Sequence, residues 1–150
     1  MNSPDEKSAA SPSGLEQLRN FMAAGQRPGI AVSLDFNLVE IELGRAVFAG
    51  KPGVHAYSHL GLIHGGYAAT LLDSACGCAV HSRLSGAQSY VTLELKVAFH
   101  KAMTRDTGVV RAEGRVVSLG RRVGYTEAAL SDMNGTLYAS ATSTLLLVER

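Results

Sequence analysis

A long apolar stripe between residues 65 and 83 constrains the fold of this chain more than any other feature. Its buried-type side chains recur at the spacing of one helix face, and they are Ala68, Leu71, Leu72, Ala75, Cys76, Ala79 and Val80. Such spacing is typical of a helix packed on a core. We therefore predict a long buried helix that ends near Arg83, before the turn at Ser85–Gly86.

The segments on either side of this helix alternate between apolar and polar residues, as strands do. A short helix capped by Ser13 and ending at Gly25 is predicted first, followed by a hairpin that turns at Gly44–Arg45. After the long helix we expect a meander of four strands, the last two joined at Asn134–Gly135. This order predicts an α+β fold, in which one helix covers one face of an antiparallel sheet.

The first strand of this meander shows the alternation most clearly. We expect one face of it to carry Val91, Leu93, Leu95, Val97 and Phe99. The other face would then carry Thr92, Glu94, Lys96 and Ala98.

Length and charge limit the domain organisation and the partners. The chain of 150 residues suits one domain over 14–150, and the polar, Ser- and Pro-rich residues 1–13 are expected to be a disordered tail. A net charge of +1 gives no support for nucleic acid or an anionic membrane as a partner. The two cysteines lie two positions apart on the predicted helix and point away from each other, so we expect free thiols and a reducing, cytoplasmic setting.

The long helix opens with His64-Gly65-Gly66, although glycine is a poor helix residue. One interpretation is steric, since a loop or a close contact can require glycine. The other is access, because an anionic or carbonyl oxygen can approach bare N–H groups at a helix N-terminus. We expect the His64 side chain to bind backbone groups of the turn.

Asp73 lies off the apolar stripe, on a helix face with Gly66, Ala69, Thr70 and Gly77. An isolated aspartate usually lies on a solvated flank. The small residues around this one favour a closely packed partner or ligand. A carboxylate held there can act as a general base or a nucleophile toward a polarised carbonyl.

The histidines lack the spacing of a metal site, so neither a metal nor a cofactor is expected.

The stretch GLIHGGYAATLLDSACGCAV, followed by YVTLELKVAFHKAM, resembles the hotdog-fold acyl-CoA thioesterases, and within them the phenylacetate-degradation (PaaI-like) branch of the 4-hydroxybenzoyl-CoA thioesterase superfamily. The similarity covers roughly residues 35–148. It implies a long central helix wrapped by a curved antiparallel sheet of five to six strands. It also implies a homodimer joined at the sheet edges, often paired into a homotetramer, with acyl-CoA as substrate and the active site at the dimer interface.

The resemblance also implies roles for particular residues. The backbone N–H of Gly65 polarises the thioester carbonyl, Asp73 of the opposing subunit activates water or attacks directly, and Thr92 helps to place the water. His64 and Gly66 belong to the same motif. Many relatives carry Asn where this chain has Ser58, which is shorter but can still form a hydrogen bond.

Coenzyme A requires cations for its phosphates. Arg121 and Arg122 are candidates at a strand turn, with Ser118 and Gly120 offering hydrogen bonds. A solvated hairpin turn is the alternative.

Three functions remain open at this point. The first is hydrolysis of an acyl-CoA thioester. The second is a hydratase or dehydratase on the same scaffold, with His64 or His59 as its catalytic histidine. The third is non-catalytic binding of acyl-CoA, which Ser58 favours.

Overall fold

The computed structural model describes residues 11–150, so most of the tail predicted over residues 1–13 lies outside the described part of the chain. Two short helices come first, α1 (Gly14–Ala23) and α2 (Gly29–Leu34). Ser13 caps α1 through a capping box with Glu16, and Gly25 follows the helix at a positive φ of 66°. The predicted start of α1 is confirmed, whereas the helix ends at Ala23, two residues before the predicted end at Gly25, and α2 was not predicted.

The remaining elements are one long helix and six strands. The helix is α3 (Gly65–His81), and a single 3-10 turn precedes it at Val54–Ala56. The strands are β1 (Phe36–Glu42), β2 (Arg45–Gly50), β3 (Gln88–Phe99), β4 (Val110–Leu119), β5 (Val123–Asp132) and β6 (Leu137–Glu149). The predicted turns at Gly44 and Gly135 both have positive φ, which suits glycine.

The six strands form one antiparallel sheet in the order β1-β2-β4-β5-β6-β3. The predicted four-strand meander is therefore wrong for β3, which pairs with β6 at the far edge and not with β4. The connection over residues 100–109 is longer than the two to five residues of an ordinary hairpin loop, so it can cross to the middle of the sheet. The strands β4, β5 and β6 do form a meander.

Helix α3 lies across this sheet and contacts all six strands. The apolar stripe is completely buried from Ala68 to Val80. Gly114 of β4 permits the close approach, because a Cβ there would lie 2.5 Å from the backbone of Ala75. The predicted arrangement of a central helix wrapped by a curved antiparallel sheet is confirmed.

Strand β3 contains a bulge that the alternation did not predict. Thr92 pairs with Leu145 and Glu94 pairs with Thr144, so Leu93 has no partner in the ladder. The extra residue reverses the facing of the side chains, because two residues then span one step. Leu95 and Val97 pack on the core. Val91 and Leu93, predicted to share their face, are instead 51% and 58% exposed.

Candidate active site

Asp73 lies near the middle of α3, and Thr92 approaches it from β3. The Thr92 hydroxyl donates a hydrogen bond to Oδ1 of Asp73 at 3.0 Å. Asp73 is half-buried, and Thr92 is exposed in the single chain. The bulge at Leu93 places Thr92 on the helix side together with Leu95. The carboxylate of Asp73 is therefore held in place next to β3, the edge strand of the sheet.

The face of α3 that carries Asp73 and small residues is partly covered by a side chain of the same protomer. A Cβ on Gly77 would lie 2.5 Å from the phenolic oxygen of Tyr90, so the Tyr90 ring occupies this space. Burial raises the pKa of the Tyr90 phenol, and the nearby Cys78 and Asp73 add to that shift. The phenol therefore stays protonated beside the carboxylate. Sequence reasoning missed Tyr90, although glycine opposite an aromatic residue is a common packing pair.

At the start of α3, both glycines leave room for an aromatic ring. A Cβ on Gly65 would lie 3.1 Å from the ring of Phe99, and one on Gly66 would lie 2.9 Å from Nδ1 of His64. His64 is the N-cap residue, and its Nδ1 accepts a hydrogen bond from the Gly66 N–H at 2.8 Å. The expectation that His64 binds backbone groups of the turn is confirmed.

The Gly65 N–H is a free donor in this chain, because no group within residues 11–150 accepts a hydrogen bond from it. It belongs to the first turn of α3, where N–H groups lack intrahelical partners and carry partial positive charge. Asp73 follows Gly65 by a little over two helical turns, about 12 Å at 1.5 Å per residue. One reacting carbonyl cannot contact both groups of the same chain.

Ser58 lies in the loop that precedes α3. Its hydroxyl accepts a hydrogen bond from the N–H of Leu60 at 3.3 Å, and its N–H donates to the carbonyl of Leu62 at 2.7 Å. These contacts hold the turn at Gly61, which has a positive φ of 74°. Ser58 therefore stabilises the loop that leads to Gly65.

The predicted coenzyme-binding residues lie at the turn between β4 and β5. Arg121, Arg122, Ser118 and Gly120 are all exposed. Neither arginine forms a salt bridge within residues 11–150. Val123 pairs with Leu146, which pairs in turn with Val91, so this turn lies two strand spacings, about 10 Å, from β3. The structure thus places both arginines at the same end of the sheet as Asp73 and far from Gly65.

Two cavities adjoin these groups. One of about 370 Å³ lies beside Gly65 and is lined by Phe99, Met103, Tyr138 and neighbouring residues. The other, of about 360 Å³, lies between α3, α1 and β1; Ser74, the residue after Asp73, lines it, but Asp73 does not.

A wider groove of about 750 Å³ lies on the opposite face of the sheet. Its lining includes Arg111, Glu113 and Arg115, which form ion pairs with neighbouring side chains. This groove is not part of the candidate active site, because Asp73 and Gly65 lie on the other face of the sheet.

Two further observations bear on the kind of site. Within the described residues, no three His, Cys, Asp or Glu side chains are grouped closely enough to hold a metal ion. No helix in residues 11–150 has the length and apolar character needed to cross a membrane.

A long helix wrapped by a six-stranded antiparallel sheet defines the hotdog class of proteins. Comparison with known sequences agrees with this, because residues 60–139 match the model of the thioesterase superfamily. A candidate esterase from Saccharolobus solfataricus is 32% identical over 108 residues, which are 72% of this chain and 75% of that protein. The chain belongs to the thioesterase superfamily, and the predicted enzyme class, a thioester hydrolase, is confirmed.

Solved structures show the same fold. A thioesterase family protein from Silicibacter pomeroyi superposes with a TM-score of 0.80 at 23% identity, covering 92% of this chain and 100% of that one. A hypothetical thioesterase from Streptococcus pneumoniae, crystallised with coenzyme A, gives a TM-score of 0.70 at 25% identity. It covers 77% of this chain and 90% of that one.

Proposed function

We propose that this protein hydrolyses the thioester of an acyl- or aryl-CoA to the free acid and coenzyme A. The observation that carries the proposal is the hydrogen bond from Thr92 to Asp73, which fixes a half-buried carboxylate next to the edge strand β3. The coenzyme A held by the Streptococcus pneumoniae relative supports the choice of thiol.

Asp73 supplies the reacting carboxylate. As a base, it takes a proton from water, and the resulting hydroxide adds to the carbonyl carbon. As a nucleophile, Oδ2 adds directly, and the acyl–aspartyl anhydride is then hydrolysed. In both routes the C–S bond breaks and the departing thiolate takes up a proton. Thr92 binds Oδ1 and so leaves Oδ2 for the reaction.

The Gly65 N–H of a second subunit stabilises the negative charge that develops on the carbonyl oxygen. A second subunit is needed because Asp73 and Gly65 of one chain are about 12 Å apart along the helix. In the proposed geometry, the positive end of the partner's α3 faces the Asp73 site.

The edge strand β3 provides the contact between the two subunits. Its outer edge is unpaired within the described chain, and Val91 and Leu93 expose apolar side chains there. Exposed edges of this kind pair readily with another strand. Thr92 contacts Asp73, while Phe99 packs at Gly65. Antiparallel pairing of two β3 strands about Lys96 therefore brings the Asp73 of one chain to the Gly65 of the other.

Coenzyme A phosphates bind Arg121 and Arg122 in this proposal. Both guanidinium groups are exposed and unpaired within residues 11–150, and arginine suits phosphate geometry. Ser118 and Gly120 provide hydrogen-bonding groups on the same turn, and Gly66 lies next to the carbonyl site.

We also propose that the subunits form a homotetramer and that the protein belongs to the PaaI-like branch of the superfamily. The free cysteines, Cys76 and Cys78, fit a reducing, cytoplasmic setting.

The direct experiment measures release of free thiol from a panel of acyl- and aryl-CoA esters. Asp73→Asn and Asp73→Ala are expected to lower kcat by about 10³-fold or more, because both remove the reacting carboxylate. Asp106→Asn, at an exposed loop position, is the matched control and should retain wild-type activity. Unchanged thiol release in the folded Asp73 variants would overturn the proposal.

A further inference from the structure

We propose that the outer face of the sheet, opposite α3, packs against the same face of a second copy of this chain. The inference rests on the homotetramer of the proposed function, because it names the surface that joins two dimers. The face contains the groove of about 750 Å³. Alternation along β5 defines it, since Thr126 and Ala128 are buried toward α3, whereas Tyr125 and Glu127, which precede them, are exposed.

A row of charged and polar side chains crosses the middle of this face. From β4 to the edge strand β3, the paired residues of the row are Arg115, Glu127, Thr142 and Lys96. Glu127 and Lys96 are exposed, and neither forms a salt bridge within residues 11–150. The charges alternate in sign along the row, so it can pair with a second copy of itself.

The side chains on the two sides of this row differ in size. Those on one side are the larger ones, and they are Tyr125, Thr144 and Glu94. Those on the other side are the smaller ones, which line the groove, and they are Ala129, Ser140 and Ala98. Each of the strands β5, β6 and β3 therefore carries a larger and a smaller residue at equal spacing from the row.

A two-fold axis along the row makes the face complementary to itself. The axis exchanges the two sides of the row, so each larger side chain of one copy lies over a smaller side chain of the other. Tyr125 is 51% exposed in the single chain, and it then packs on Ala129 of the second copy. Sheets that pack face to face lie about 10 Å apart with their side chains interdigitated. A tyrosine over an alanine suits that spacing.

The charges of the row fit the same contact. Arg115 and Glu127 are directly opposite each other on neighbouring strands, about 5 Å apart. The long side chain of each Arg115 therefore reaches Glu127 of the second copy as well as its own. Lys96 lies two residues from Glu94 on the same exposed face, so opposite charges also meet at the β3 end of the row. Together with Glu94, the row has no net charge.

The axis along the row is consistent with the proposed β3 pairing. The row ends at Lys96, where the two-fold axis of the β3 contact passes through the sheet. Two such axes that cross at a right angle generate a closed tetramer. Four strands over about eight residues give the face an area of roughly 500 Å² per subunit. Four such faces bury about 2,000 Å², which is enough for a stable interface.

The test measures the mass of the protein in solution by sedimentation equilibrium. The wild type should be a tetramer. Tyr125→Glu removes the aromatic ring, so the constant for dissociation into dimers should rise at least about 100-fold. Leu43→Glu, at the exposed turn between β1 and β2, is the matched control and should remain a tetramer. A wild-type dimer, or a tetramer that Tyr125→Glu does not weaken, would overturn the proposal.

Exchanging the two side chains tests the complementarity itself. Ala129→Tyr alone places tyrosine over tyrosine and should also give dimers. The double variant Tyr125→Ala/Ala129→Tyr again places a tyrosine over an alanine at each contact, so it should restore the tetramer. If the double variant has an unchanged circular dichroism spectrum and stays as dimeric as Ala129→Tyr, the proposed axis is wrong.

The outcome is separable from that of the proposed hydrolysis, because Asp73 and Gly65 lie on the other face of the sheet. A tetramer that dissociates as expected in Tyr125→Glu, without any thiol release by the wild type, would retain this interface and exclude the hydrolase. Thiol release by a wild type that is only dimeric would retain the hydrolase and exclude this interface.

Discussion

The hydroxyl of Thr92 reaches Oδ1 of Asp73 at 3.0 Å because β3 contains a bulge immediately after Thr92. Without the extra residue, Thr92 and Leu95 would face opposite sides of the sheet. With it, both face α3, so the same strand positions the carboxylate and contributes to the core. The bulge therefore connects the packing of β3 to the chemistry proposed for Asp73.

Thr92→Val removes the hydroxyl that donates to Asp73 and keeps the side-chain shape. We expect kcat for thiol release to fall by about 10- to 100-fold, since a hydrogen bond to a charged group contributes roughly 1.5–3 kcal/mol. Thr92→Ser restores the donor and should recover most of the rate. Steady-state kinetics on one ester measures this, and equal rates for the valine and serine variants would contradict the role of the hydroxyl.

Lys96→Cys should form a disulfide between two subunits under mild oxidation. The proposed pairing of two β3 strands has its two-fold axis near Lys96, and Cα atoms of opposed residues there lie about 4.5–5.5 Å apart. Arg115→Cys, exposed on β4 within the sheet, is the matched control and should remain monomeric on a non-reducing gel. A cross-linked control beside an uncross-linked Lys96→Cys variant would place the interface elsewhere.

The stability of the protein should fall on acidification through the unfolded-state pKa of His81. Burial lowers the pKa of the folded-state imidazole from its ordinary 6.5, and the nearby positive charge of Arg150 adds to the effect. Below about pH 6.5 the unfolded chain therefore binds more protons at this position, so the free energy of unfolding decreases as the pH falls.

Urea titrations at pH 7.5 and pH 5.5 measure this effect. The decrease should be smaller in His81→Gln, which cannot titrate. Equal decreases in the wild type and the variant would show that His81 is not responsible.

The sequence alone predicted the long helix, the antiparallel hairpins and the acid on a small-residue face. These features depend on local periodicity and turn residues, which are written directly in the chain. The start of α3 was predicted at Gly65, where the structure has it, although the structure ends the helix at His81, two residues before Arg83.

Features that depend on contacts between distant segments were not predicted. The alternation in β3 missed the bulge at Leu93, since a bulge is decided by the partner strand. The placement of β3 beside β6 and the packing of Tyr90 on Gly77 are likewise long-range. The cavity between α3, α1 and β1 is lined by residues from distant parts of the chain, so no single segment indicated it.

The central claim is that Asp73 of one subunit and the Gly65 N–H of its partner act on the same thioester. Gly65→Pro removes that N–H at the first helical position, which tolerates proline, and His64 before it already has an extended ψ of 138°. Gly65→Ala adds a similar Cβ beside Phe99 but keeps the N–H, so it controls for crowding.

The most direct measurement is the activity of a hetero-oligomer that pairs Asp73→Asn subunits with Gly65→Pro subunits, purified through two different tags. Each parent should be inactive alone. In the mixed dimer, one of the two sites combines an intact Asp73 with an intact Gly65, so about half of the wild-type activity should return. A mixed dimer as inactive as its parents would contradict a site shared between subunits.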